Sequence, residues 1–201
     1  MILCVSIFSV SASANNNQSN VLYRAGQIDR LENESTLTNR TAKIYAAGKD
    51  VIVNKNEVDQ IVAKDDLLNL DKSTSEENAL NYLVKRETLY NAAKQAGFLL
   101  SDNEVNTEIE NSKNSFKNSV NYSDFTVYLA GRNITEDEYW VQEFDNIKRN
   151  CTINDYLMHI QNEYAKDNKI TEWSEDSLKD WQDYKANFVT DLVSSENVVI
   201  Q

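Results

Sequence analysis

Three times along the chain a hydroxyl side chain stands three positions ahead of a glutamate at the mouth of an apolar run. The pairs are Thr74 with Glu77, Ser101 with Glu104, and Thr135 with Glu138. At that spacing the hydroxyl accepts from the backbone N–H of the third helical residue. The glutamate reaches back to the N–H of the capping residue, so two orphan donors are satisfied reciprocally. Three helix starts are expected there. Little downstream would interrupt the helices, because the 201 residues include no proline and only 4 glycines. Those two residues most disfavour a helix interior and most favour turns. Such a chain is poor material for a turn-rich β fold and good material for long helices. With 26% charged and 41% hydrophobic residues it is globular in composition, and it is long enough to bury one sizeable core.

The apolar spacing fills in the helices. Ala79, Tyr82, Leu83, Leu89, Tyr90 and Ala93 recur at intervals of three and four, and Gly97 suits the left-handed position just past the helix end. The Ser101 start leads through Val105, Ile109 and Phe116, and a short helix closed by Gly131 follows. The Thr135 start opens one long helix whose seam includes Trp140, Phe144, Ile147, Cys151 and Leu157 or Met158. A last amphipathic helix runs through Leu178, Trp181, Lys185, Phe188 and Leu192. Two β-branched stretches, "DVIVN" at 50–54 and "NVVI" at 197–200, have strand character. A lone strand cannot satisfy its own backbone groups. The two are therefore expected to pair with each other, giving an all-α domain with a minor two-stranded element that joins its N-terminal and C-terminal strands.

The first 14 residues, "MILCVSIFSVSASA", are uncharged, mostly apolar, and end in Ala12-Ser13-Ala14. They have the character of a secretory signal peptide, although no basic residue precedes the apolar run. They are too short to cross a bilayer as a helix, which needs about 20 residues, so no stable membrane span is expected. Residues 15–40 are polar and read as a mobile leader with one short helix around Val21–Leu31; residues 41–201 form the helical domain. The net charge of −12 repels phosphate backbones and argues against nucleic acid as a partner.

The stretches "VIVNKNEVDQ" at 51–60, "NALNYLVKRETLYNAAKQAGFLLSDNEVNTEIENSK" at 78–113 and "YLAGRNITEDEYW" at 128–140 together resemble the N-terminal domain shared by the SurA and PrsA extracytoplasmic chaperones. The likeness extends over about 46–160, and the final helix and strand suit the C-terminal return segment of that fold, which is also like the trigger-factor C-domain. The resemblance implies a bacterial protein that is secreted or associated with the cell envelope. It implies a holdase that binds unfolded or nascent exported polypeptides in an apolar crevice between helices. Around the hinge and the short helix, Phe98, Tyr122, Phe125, Tyr128 and Trp140 are the crevice candidates.

The larger members of the family carry a parvulin-type prolyl isomerase between the long helix and the return helix. Here that gap is only residues 166–173, far short of the 50 or so residues a domain needs. The paired histidines of such a site are reduced to one, His159. The isomerase is therefore expected to be absent. His159 has only Glu163 at helical spacing, and two residues do not make a metal site. The acids of 135–138 sit in a first helical turn, where the helix dipole favours them, and Cys151 reads as a small packed residue. No catalytic residue, metal or cofactor is expected. Two other readings stay open. One is a secreted or surface helical module with a single dedicated protein partner. The other is an accessory or degenerate member of the foldase family.

Overall fold

The computed structural model describes residues 16–38, 43–67 and 72–201, with side chains over 19–31, 43–66 and 75–201. The signal-like stretch 1–14 lies outside the described residues. In chain order the elements are α1 (Asn16–Thr38), β1 (Ile44–Ala47), β2 (Ile52–Asn54), α2 (Lys55–Leu67), α3 (Lys72–Gln95), α4 (Asp102–Lys117), α5 (Tyr122–Arg132), α6 (Glu136–Gln142), α7 (Phe144–Asp167), α8 (Glu175–Glu196) and β3 (Val199–Ile200). The protein is mostly helical with one small antiparallel sheet.

Two of the three expected boxes form. The Glu104 N–H donates to Ser101 Oγ at 3.4 Å while the Ser101 N–H donates to Glu104 Oε2 at 2.8 Å, opening α4. Thr135 and Glu138 make the same exchange at 3.2 and 2.7 Å, opening α6. The Thr74 pair does not open a helix, because α3 already begins at Lys72 and its cap lies outside the described residues. A further box, unread in the sequence, opens α8. There Ser177 takes the glutamate's part, and Ser174 exchanges bonds with it at 3.2 and 2.8 Å.

The helix ends are equally specific. Gly97 has φ +86°. Its N–H donates to the Lys94 carbonyl at 3.1 Å, and the Phe98 N–H reaches the Ala93 carbonyl at 2.9 Å. These are the paired bonds of a left-handed helix terminator. The short helix α5 runs through Gly131 to Arg132, and Asn133 at φ 55° takes the terminating position instead. The long helix expected from 136 onward is interrupted at Glu143. Its N–H still bonds the Tyr139 carbonyl at 2.9 Å and its carbonyl accepts from Ile147 at 2.8 Å, so α6 and α7 abut end to end.

The two ends of the domain do meet, with a strand between the expected partners. The sheet order is β2-β1-β3. Ala46 in the central strand stands opposite Val53 on one side and Ile200 on the other. Residues 50–54 and 197–200 are thus linked through β1 rather than paired directly. Glu196 clasps the turn from β1 to β2: its carbonyl accepts from the Lys49 N–H at 2.9 Å and its carboxylate from the Asp50 N–H at 2.7 Å.

Burial divides between two clusters. One joins Ala46, Val51 and Val53 of the sheet region to Val58 on α2 and to Ala79, Leu83 and Val84 on α3. The other gathers Leu100, Val105, Ile109, Phe116, Phe125, Tyr128, Leu129, Tyr139 and Trp140. In place of the single short helix expected near 21–31, α1 is 23 residues long. It lies along α5, with Leu22, Gly26 and Asp29 buried.

Candidate client-binding surface

The five residues singled out in the sequence do not share one surface. Phe125 and Tyr128 are each 1% exposed and Trp140 is 5% exposed, so all three are core rather than the walls of an opening. The packing explains the correction. The Phe125 ring meets Phe116 edge-on at 5.0 Å and Tyr139 at 4.9 Å, and Tyr139 meets Trp140 at 5.1 Å. Such edge-to-face stacks are favourable beyond the area they bury. Tyr122 is half-buried at the rim of this cluster, where its hydroxyl donates to Glu136 at 2.8 Å. Phe98 is half-buried on the other side of the hinge.

The polar groups beneath α1 form a lock. The buried Tyr128 hydroxyl donates to Asp29 on α1 and accepts from Arg132 Nη1 at 3.2 Å. Lys64 on α2 reaches the other Asp29 oxygen at 2.7 Å. Arg132, 4% exposed, also donates to Glu143 at 2.9 Å and to Gln142 at 2.7 Å. Burial, and then the Asp29 carboxylate, push the Tyr128 phenol far above its ordinary range. Burial and Glu143 do the same to Tyr139. A phenol held neutral this firmly is a poor acid and a poorer nucleophile, so the network holds elements together.

The hinge itself is pinned to α7. The Leu100 N–H donates to the buried Thr152 hydroxyl at 3.3 Å, and Lys148 pairs with Asp102 at 2.7 Å. That places Phe98 on α7, its ring 5.5 Å from Tyr156 and 5.1 Å from His159. From there aromatic rings continue between α7 and α8. Tyr156 meets Phe188 at 6.2 Å, and Phe188 stacks on Tyr184 at 6.5 Å. Tyr184 meets Tyr164 at 4.8 Å, and Trp181 closes the row at 5.5 Å from Tyr164. Tyr156 meets Phe188 while the later Tyr164 meets the earlier Trp181, so the two helices run antiparallel, joined by only residues 168–174.

Trp181 is buried and anchors this strip, but the rest stays partly wet. Phe98, Tyr156, Tyr164 and Phe188 are half-buried, and Tyr184 is 43% exposed. Leu99, Leu178 and Trp173 add exposed apolar surface beside the hinge and at the start of α8. Together these rings form a row of partly exposed aromatic surface along α7 and α8. Tyr156, Tyr164 and Tyr184, which the structure adds to the candidate surface, were not among the candidates read from the sequence. The available signal was aromatic spacing on two helices joined by a very short link, since short links make antiparallel neighbours.

Among the described residues no group of three or more His, Cys, Asp or Glu side chains could hold a metal ion. Cys151 is half-buried against the aromatic cluster of α4 to α6. No helix among the described residues is long and apolar enough to cross a membrane.

Fold and surface together define a helix–hinge–helix domain whose distant ends are clasped by a small sheet. Residues 54–153 match the SurA-like N-terminal domain family, a family of chaperone type, and the likeness read in the sequence holds over that stretch. The match covers the end of β2 through the first part of α7. Among curated proteins, and among solved structures, nothing matches the chain.

Proposed function

We propose that this protein is an extracytoplasmic holdase that binds unfolded or nascent exported polypeptides without catalysis. The observation that carries the reading is the row of rings from Phe98 across Tyr156, Phe188 and Tyr184 to Tyr164, anchored on Trp181 and left partly exposed. The SurA-like N-terminal match supports it, since domains of that family typically work outside the cytoplasm. An unfolded segment laid on the strip gains about 25 cal/mol for each Å² of apolar area removed from water. Restraining a flexible chain opposes that gain, so binding is weak and reversible. Burial of apolar area is non-directional, so such a surface accepts many sequences, which suits a protein with many clients.

The test mixes the full chain with a chemically unfolded model protein diluted out of denaturant and follows light scattering. Aggregation should be suppressed near equimolar ratio, with no acceleration of prolyl isomerisation in a peptide assay. Unchanged aggregation at several-fold excess would remove the holdase reading, and rapid prolyl turnover would remove the non-catalytic half of it.

A further inference from the structure

The aromatic strip is set in an uncompensated acidic field. Residues 155–196 carry ten acids against four lysines, a net of −6. Half of the net charge of −12 thus falls on about a fifth of the chain. The acids share helix faces with the rings. On α8, Asp176, Asp180, Tyr184 and Phe188 follow one another at intervals of four and so lie in one row. On α7, His159, Glu163 and Asp167 form a second such row, next to Tyr156 and Tyr164. Among the described residues, Asp167, Asp176, Asp180, Asp183 and Asp191 make no ion pair, and Glu163 has only an exposed contact with Lys166 at 3.9 Å.

Charge of one sign beside exposed apolar surface selects partners by complementarity. Resting on the holdase reading above, we infer that the α7–α8 strip takes cationic amphipathic segments, in which aromatic or aliphatic side chains alternate with lysine or arginine. The apolar side chains of such a segment lie on Tyr184, Phe188 and Tyr156, and its cations face Asp180, Asp176 and Glu163. The exposed faces of Tyr184 and Tyr156 add cation–π attraction for the same partner. An anionic segment of equal hydrophobicity meets the same rings and is repelled by the same carboxylates.

The experiment titrates the full chain against three fluorescent unfolded peptides of identical aromatic content bearing net positive, zero and net negative charge. It is run at low and at high salt, on the wild-type protein and on the Asp176→Asn/Asp180→Asn/Glu163→Gln variant. The cationic peptide should bind about tenfold tighter than the anionic one at low salt, the gap closing as the Debye length falls to about 3 Å at 1 M. The variant should lose most of that gap. Equal binding of all three peptides, or a preference that survives both high salt and the variant, overturns the charge selection and leaves the holdase reading standing. Binding of none overturns both.

Discussion

Gly26 on α1 and Gly131 on α5 face each other across a crossing too close for any side chain. A Cβ on Gly131 would stand 2.1 Å from the Tyr23 carbonyl oxygen, and one on Gly26 would stand 2.3 Å from the Tyr128 carbonyl oxygen. Each glycine therefore admits the backbone of the other helix. Gly131→Ala cannot be absorbed by a side-chain rotation, because its neighbour is backbone. Overpacking of this kind costs about 1–3 kcal/mol. The variant should unfold at lower denaturant, and amide exchange should accelerate across α1 before it does in α4. Unchanged exchange in α1 would show that the crossing is not what holds that helix.

Gly97 poses the opposite case. Its φ is +86°, yet nothing lies within 4 Å of where a Cβ would sit. The penalty for Gly97→Ala is purely conformational, about 1–2 kcal/mol for a left-handed L-residue. Gly97→Asn should cost less, since asparagine tolerates that region. Denaturation midpoints in the order glycine, asparagine, alanine check this.

These glycines also show what was legible in the sequence. Gly97 could be read because a capped helix follows it within four residues, and local turn chemistry is written locally. The Ser101 and Thr135 boxes were legible for the same reason. Of helix α1 only the part around 21–31 was legible, because its full length docks through Leu22, Gly26 and the buried Asp29 rather than through a long apolar stripe. Strand β1, "IYAA", escaped because two alanines give no alternation and one of its two partner strands, β3, lies at the far end of the chain. Of the candidate strip only Phe98 was legible. Trp140, Phe125 and Tyr128 sit among the same residue types as Tyr156 and Tyr184, and only the way helices pack decides which rings are covered.

Tyr128 and Tyr139 tie stability to alkaline pH. Both phenols are held above their ordinary value of 10.0, chiefly by burial. Below about pH 10 both states keep these protons, so the contribution is fully present. Above it the unfolded chain releases protons that the folded protein retains, and stability falls by about 1.4 kcal/mol per pH unit for each phenol. Denaturant titrations from neutral to strongly alkaline pH should show that slope beginning near the free phenol value, with delayed tyrosinate absorbance in the folded state. Tyr139→Phe should reduce the slope by about one phenol's share. A slope unchanged in that variant would assign the alkaline loss to other groups.

Glu196 joins the two ends of the domain through two chemically different bonds. Its carboxylate serves the Asp50 N–H, while its backbone carbonyl serves the Lys49 N–H. Glu196→Ala removes only the first. Asp50 is exposed and water can replace the lost acceptor, so stability should fall by about 0.5–1.5 kcal/mol. Exchange of the Asp50 amide should speed up far more than that of Lys49. Equal acceleration of both would indicate that the whole β3 return has detached.

Rings of the core and rings of the strip should fail in different ways. Phe125 is fully buried between Phe116 and Tyr139, so Phe125→Ala should cost about 3–5 kcal/mol by transfer and cavity terms together. Tyr184 is 43% exposed and sits over Tyr164 and Phe188. Tyr184→Ala removes a ring that the fold only half uses, and its stability cost should stay near 1 kcal/mol. Its effect on suppression of client aggregation should be the larger of the two once both proteins are compared well below their melting temperatures. The physical reason is that binding depends on area that is wet in the free protein and dry in the complex, a quantity Tyr184 has and Phe125 lacks. Aggregation assays on folded samples, with circular dichroism confirming the fold, separate the two. If Tyr184→Ala protects the client as well as the wild type does, the client-binding surface lies elsewhere on the molecule.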